Sequence, residues 1–102
     1  MPSVIESWEQ AQRLEAAGTR EAARPHYEAI LDVEPGHVPA RLRLSRLEQA
    51  AGRYTTARAH ALRAAAAVRE RRGSRHAGFV SARLLEFAEE QEAATLILAC
   101  DW

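Results

Sequence analysis

The chain has no lysine and no asparagine, only one cysteine, and five glycines and four prolines among its 102 residues. The single cysteine, Cys100, excludes an internal disulfide and suggests a reducing compartment, here taken to be the cytoplasm. So little glycine and proline leaves few sharp turns, and strand-forming residues are scarce, so a β-rich fold is excluded. Apolar runs are short, as in Ala64 to Val68, and none approaches the length of a membrane span. Val4-Ile5 runs straight into Glu6, which is no signal-peptide core. Charge of either sign is not in excess. Fourteen arginines balance fourteen acidic residues, which excludes a strongly basic nucleic-acid binder and an acidic tail. What is present is alanine, the commonest residue type, within an apolar fraction of 47% that excludes wholesale disorder. The composition predicts one soluble, intracellular, all-α domain spanning residues 1–102.

Periodicity and punctuation divide the chain into helices. Ser3 and Glu6 have capping-box spacing, and Val4, Trp8, Ala11 and Leu14 follow at helical intervals until Gly18. Thr19 is placed to cap a second helix with an apolar face of Ala23, Tyr27, Ile30 and Leu31. Pro25 removes one backbone bond from it, and Glu34-Pro35-Gly36 ends it. Pro39 suits the first turn of a third helix, striped by Leu44, Leu47 and Ala51 and closed by Gly52. A fourth begins near Thr55 or Thr56 and lines up Ala57, Ala61, Ala64 and Val68. Gly73-Ser74 reads as the next break, with Ser74 as an N-cap. A fifth helix carries Phe79 to Ala88, Glu89-Glu90-Gln91-Glu92 reads as a polar interruption, and Ala93 to Cys100 as a short last helix. The Thr95-Leu96-Ile97-Leu98 run would suit a strand, but the chain offers no second strand to pair with it.

One offset organises these elements. The step from Gly18 to Gly52 is also the step from Ala17 to Ala51, from Ala23 to Ala57 and from Ile30 to Ala64. A period of about 34 residues with two helices per unit is a repeat signature. The segment from Gly18 to Pro35, with Ala23, Tyr27, Ile30 and Pro35 in place, resembles the tetratricopeptide repeat (TPR) family. The second copy keeps Gly52, Tyr54, Ala57 and Ala64. Small residues where the helices of a pair cross, Ala11 with Ala23 and Ser45 with Ala57, let the axes approach closely. The sequence departs from the family pattern at Ser7 and Arg41, where a large residue is usual, at Glu48, where an aromatic is usual, and at Arg69, where the closing proline is missing. Antiparallel helix hairpins stacked as a short right-handed α-solenoid are what the resemblance implies. The first repeat would span about 4–37, the second about 38–72, and a degenerate, shortened third helix pair about 74–100.

No catalytic constellation emerges. His26, His37, His60 and His76 lack the spacing of a helical metal pair, no glycine-rich phosphate loop is present, and Glu89, Glu90 and Glu92 read as a solvated turn. The expectation is therefore a non-enzyme with no metal and no cofactor. Arg63, Arg69, Arg71, Arg72 and Arg75 form a basic cluster without aromatic stacking partners, so nucleic acid is not the expected partner.

The resemblance implies a groove lined by the first helix of each pair. It places Trp8, Gln12 and Glu15 there from the first pair, Leu42, Arg46 and Gln49 from the second, and His76, Val80 and Arg83 from the third. A noncatalytic protein-interaction module is the function it implies, with a peptide or protein partner that is acidic or carboxylate-bearing. Lys and Asn, with which some TPR co-chaperones clamp a C-terminal carboxylate, are absent, which argues against a chaperone-tail receptor. Two alternatives stand beside this reading. The apolar stretch from Thr95 to Trp102 would suit the N-terminal part of a larger enzyme, as in bacterial sulfotransferases that carry TPR repeats ahead of a catalytic domain. It would equally suit a self-associating adaptor, a homodimer formed through the C-terminal apolar segment.

Overall fold

Among the described residues there are five helices: α1 (Val4–Ala16), α2 (Arg20–Val33), α3 (Val38–Ala50), α4 (Tyr54–Ser74) and α5 (Val80–Ala99). The computed structural model describes residues 3–74 and 80–100, with side chains over 3–71 and 87–100. No strand occurs among the described residues, and Ala93 to Ala99 is helical. α1 packs on α2 and α3 on α4, α2 joins the two pairs by packing on α3, and α5 lies on α4 with a smaller contact to α3. The shortest dimension is 21 Å, the thickness of about two helices laid side by side.

The two interhelical turns are the same structure built twice. At the end of α1 the Thr19 amide donates to the Leu14 carbonyl at 2.9 Å and the Gly18 amide to Glu15 at 3.0 Å. One period further on, Arg53 donates to Glu48 at 2.8 Å and Gly52 to Gln49 at 3.0 Å. This is the Schellman arrangement, and it needs a residue in the left-handed region. Gly18 and Gly52 supply it, with φ of +84° and +82°. Ser3 caps α1 as its spacing predicts, its hydroxyl accepting from the Glu6 amide at 3.1 Å. Thr19 does not cap α2. Its hydroxyl donates backwards to the Leu14 carbonyl at 2.8 Å and reinforces the turn instead.

Two apolar clusters form the core, and α3 divides them. Ala40, Leu44 and Leu47 pack with Ala11, Ala23, Tyr27 and Ile30 on one side. Val38 and Leu42 pack with Ala61, Ala64, Val68, Ala93 and Leu96 on the other. A helix covered on both sides has little room for polar residues, so those it carries must find partners. Ser45 does so at the α3–α4 crossing, donating to the Ala57 carbonyl at 2.8 Å while both residues are fully buried. Alanine at 57 leaves that carbonyl within reach.

Pro25 sits inside α2 and the helix ends at Val33, as the sequence reading has it. Several other boundaries differ from that reading. α4 starts at Tyr54 and continues through Gly73 to Ser74, so Ser74 ends a helix where an N-cap was expected. α5 has no interruption at residues 89–92 and is one helix where a short pair was expected. The cause is pairing. Glu89, only 6% exposed, receives the Arg71 guanidinium at 2.6 Å, and Glu92 pairs with Arg46. Acidic residues that find arginines across a helix interface have no reason to break the helix.

Candidate peptide-binding face

The expected groove residues fall into two groups. On α1, Trp8 is half-buried and its ring meets Tyr27 edge-on, with centroids 5.6 Å apart, and tilts over His37 at 5.8 Å. Edge-to-face geometry places the positive ring edge on the negative face and fixes orientation as well as area. The Gln12 amide donates to the Tyr27 hydroxyl at 2.8 Å, and that hydroxyl donates to Glu15. Burial first, and the Glu15 bond second, push the Tyr27 phenol above its ordinary range. It therefore stays a neutral donor that orders Gln12 and Glu15. Trp8, Gln12 and Glu15 thus share one tyrosine as anchor, with the Arg43 charge also acting on it from α3.

On α3 the expected residues sit in different surroundings. Leu42 is 4% exposed and belongs to the second core cluster, because Ala93 and Leu96 of α5 join that cluster. It offers no apolar pocket, which corrects its placement as a groove residue. Arg46 is exposed, yet its guanidinium is ion-paired to Glu92, so it is not a free cation. Gln49 is half-buried. His76 lies outside the described residues, as do the side chains of Val80 and Arg83. Among the described side chains, Glu92 of α5 pairs with Arg46 of α3, and Ala93 and Leu96 share a cluster with Val38 and Leu42. At the other expected site, Leu96 is 7% exposed and Ile97 half-buried, leaving Leu98, 72% exposed, as the apolar residue facing out. Trp102 lies outside the described residues.

Two polar clusters behind this face are not visible in the repeat pattern. The first centres on Glu48, which is 1% exposed. Arg53 grips it through two hydrogen bonds of 2.8 and 3.1 Å, and Arg24 reaches it from α2 at 2.9 Å. Arg53 also binds Glu21 at 2.9 Å and Arg24 binds Glu28 at 3.3 Å, so five charges tie α2 to the α3–α4 turn. The Arg53 hydrogen bonds, against the opposing effect of burial, hold the Glu48 carboxyl below its ordinary range. A glutamate inside an apolar stripe, with an arginine right after the repeat glycine, was the available signal. The second cluster centres on Arg41, 8% exposed. It donates to the Pro35 carbonyl at 3.3 and 3.2 Å and meets His60 Nδ1 at 3.1 Å. Arginine only donates, so His60 Nδ1 is the acceptor and the ring is neutral. His37 is also an acceptor, taking the Ala40 amide on Nδ1 at 3.2 Å as the N-cap of α3. Burial, the largest cause in each case, lowers the pKa of both rings.

Among the described residues no group of histidine, cysteine or carboxylate side chains could hold a metal ion, and no helix is long and apolar enough to cross a membrane. The face is built by two helix pairs whose turns repeat at one fixed offset. A family described as tetratricopeptide repeat matches residues 14–77, well over half of the chain. The chain belongs to the TPR family. No curated protein and no solved structure matches it. The matched region takes in the end of α1, both Schellman turns and all of α2, α3 and α4. TPR repeats generally serve as noncatalytic protein-interaction modules, which is the coarse function that membership carries. The family's aromatic position holds the buried Glu48 in the second TPR, so arginines fill space there that a ring usually fills.

Proposed function

We propose that this TPR chain is a noncatalytic interaction module whose hairpins stack as a short right-handed superhelix and take a partner's peptide along the face of α1 and α3. The observation that carries the reading is the α1 surface. Trp8 is half-buried and held edge-on by Tyr27, beside Gln12 and Glu15, which the same tyrosine orders. Side chains fixed before binding lose less entropy on binding, and a partly buried tryptophan is a common anchor. Arg46 and Gln49 extend this face on α3. Glu92 occupies Arg46 as a partner's carboxylate would, so an acidic segment binds here by displacing it.

The test uses the full chain and a peptide selected against it from a random library. Trp8→Ala is expected to weaken that peptide by about tenfold or more, as for an interface anchor. Arg46→Gln also weakens an acidic peptide, whereas Glu92→Gln strengthens it by freeing the guanidinium. Binding indifferent to all three substitutions would remove the assignment.

A second reading rests on α5. Phe87 and Leu98 are 60% and 72% exposed, and their spacing brings them to nearly the same side of the helix. Self-association through that side would cover both. Light scattering across a wide concentration range should then show a dimer that Leu98→Ser abolishes, and a constant monomer mass would eliminate this reading.

A further inference from the structure

The zero net charge hides a segregation. Residues 38–75 hold ten arginines and two glutamates, a net charge of +8, while residues 1–37 and 76–102 carry −4 each. Half of the excess, +4, lies on α4, which buries mainly small residues. Its buried line is Ala57, Ala61, Ala64 and Val68, all fully covered. Larger residues flank that line on one side. Tyr54 and Leu62 are 47% and 46% exposed, and Arg58 and Arg69 are exposed. At 3.6 residues per turn, Tyr54, Arg58, Leu62 and Arg69 fall within an arc of about 80° and span about 22 Å of helix. The small residues inside are explained by close packing on α3 and α5. Nothing in that packing requires a tyrosine and a leucine outside.

The arginines of this stripe are not held in ion pairs, unlike several others. Arg13, Arg24, Arg46, Arg53 and Arg71 each pair with a carboxylate. Arg58 and Arg69 pair with none among the described residues, as is also true of Arg20, Arg41, Arg43 and Arg63. We propose that the Tyr54–Arg58–Leu62–Arg69 stripe is a second docking surface, for an acidic protein segment that carries apolar side chains at helical spacing. Carboxylates of such a segment meet Arg58 and Arg69, and its apolar residues cover Leu62 and Tyr54. The acidic regions on either side of the +8 region favour a short acidic segment over a long polyanion or an anionic bilayer, either of which would press against them. The stripe lies on α4 and shares no residue with the α1–α3 face, so the two surfaces are tested separately.

Fluorescence anisotropy of the full chain with a labelled helical peptide of Glu, Leu and Phe decides the matter. Oligo-uridine and phosphatidylserine vesicles serve as the competing polyanions. The peptide is expected to bind, to weaken as salt rises, and to lose about tenfold or more in affinity when Arg58→Glu and Arg69→Glu are combined. Leu62→Ser should weaken it several-fold, and its analogue with Gln for Glu should not bind. Trp8→Ala leaves this binding unchanged. Absence of peptide binding overturns the proposal, as does binding that survives both charge reversals or that Trp8→Ala abolishes. Equal or tighter binding of oligo-uridine or vesicles through the same arginines also overturns it. Arg58, Leu62 and Arg69 are exposed, so the helical circular-dichroism signal of these variants should be retained. Were the double reversal to unfold the chain, Leu62→Ser alone decides.

Discussion

Glu48→Ala should be the most damaging single change on the α2–α3 interface. The carboxylate is 1% exposed and held by Arg53 and Arg24 at 2.8 to 3.1 Å. A pair of opposite charges near 4 Å attracts by about 4 kcal/mol at an effective dielectric constant of about 20. Two such pairs are offset by the cost of taking a carboxylate out of water, several kcal/mol. Removing one member of a buried ionic cluster costs about 3–5 kcal/mol, chiefly because the rest is left uncompensated. Here the arginine side chains are 36% and 39% exposed and keep Glu28 and Glu21, so they rehydrate in part. The loss should sit at the low end, about 3 kcal/mol, a large share of the 5–15 kcal/mol typical of a domain. Urea unfolding followed by far-ultraviolet circular dichroism measures it. The charge contribution is separated by pH. Glu48 has a folded-state pKa below its unfolded value, so its stabilisation is complete above the ordinary glutamate value of about 4.3 and fades as pH falls through the folded value. The stability difference between the native chain and Glu48→Gln should therefore shrink on acidification below about 4.3. A cost under about 1 kcal/mol for Glu48→Ala, no more than a typical point change, or a Gln difference that does not change with pH, would refute the reasoning.

Gly52→Ala should cost about 1–2 kcal/mol, because φ is +82° and open space around the site removes any steric contribution. Urea midpoints check it, and a neutral result would contradict the left-handed turn. Ser45→Ala should cost about 1 kcal/mol through the bond lost to the buried Ala57 carbonyl, measured the same way. His37 and His60 must be neutral to accept from the Ala40 amide and Arg41, and both have lowered pKa values. The unfolded chain therefore binds protons first, and stability should fall as pH drops below about 6.5. Replacing either histidine with glutamine should flatten that slope in pH-dependent thermal melts, and an unchanged slope for both would count against neutral rings.

The helix pairs were legible where a residue has one physical use. Gly18 and Gly52 mark turns because only glycine enters the left-handed region cheaply, and Ser3 with Glu6 marks a helix start. What the sequence hid depends on partners distant in the chain. Glu89 and Glu92 read as a break because nothing local shows Arg71 and Arg46 waiting for them. Leu42 reads as a groove residue by repeat position, and α5 buries it. The break expected at Gly73-Ser74 is absent, since α4 runs through both residues, and nothing local marks that continuation. For the face itself, Trp8 and Gln12 were assigned by register. Their shared anchor, Tyr27, was assigned to packing alone because a phenol bridging two side chains leaves no periodic mark.

The central claim, that the α1–α3 face of this TPR protein receives a partner's peptide, is tested most directly by amide chemical-shift mapping of the full chain with a peptide selected against it. The account predicts the largest changes at Trp8, Gln12, Glu15, Arg46 and Gln49, and their loss in Trp8→Ala. Changes confined to α2 and α5, with affinity intact in Trp8→Ala, would contradict it.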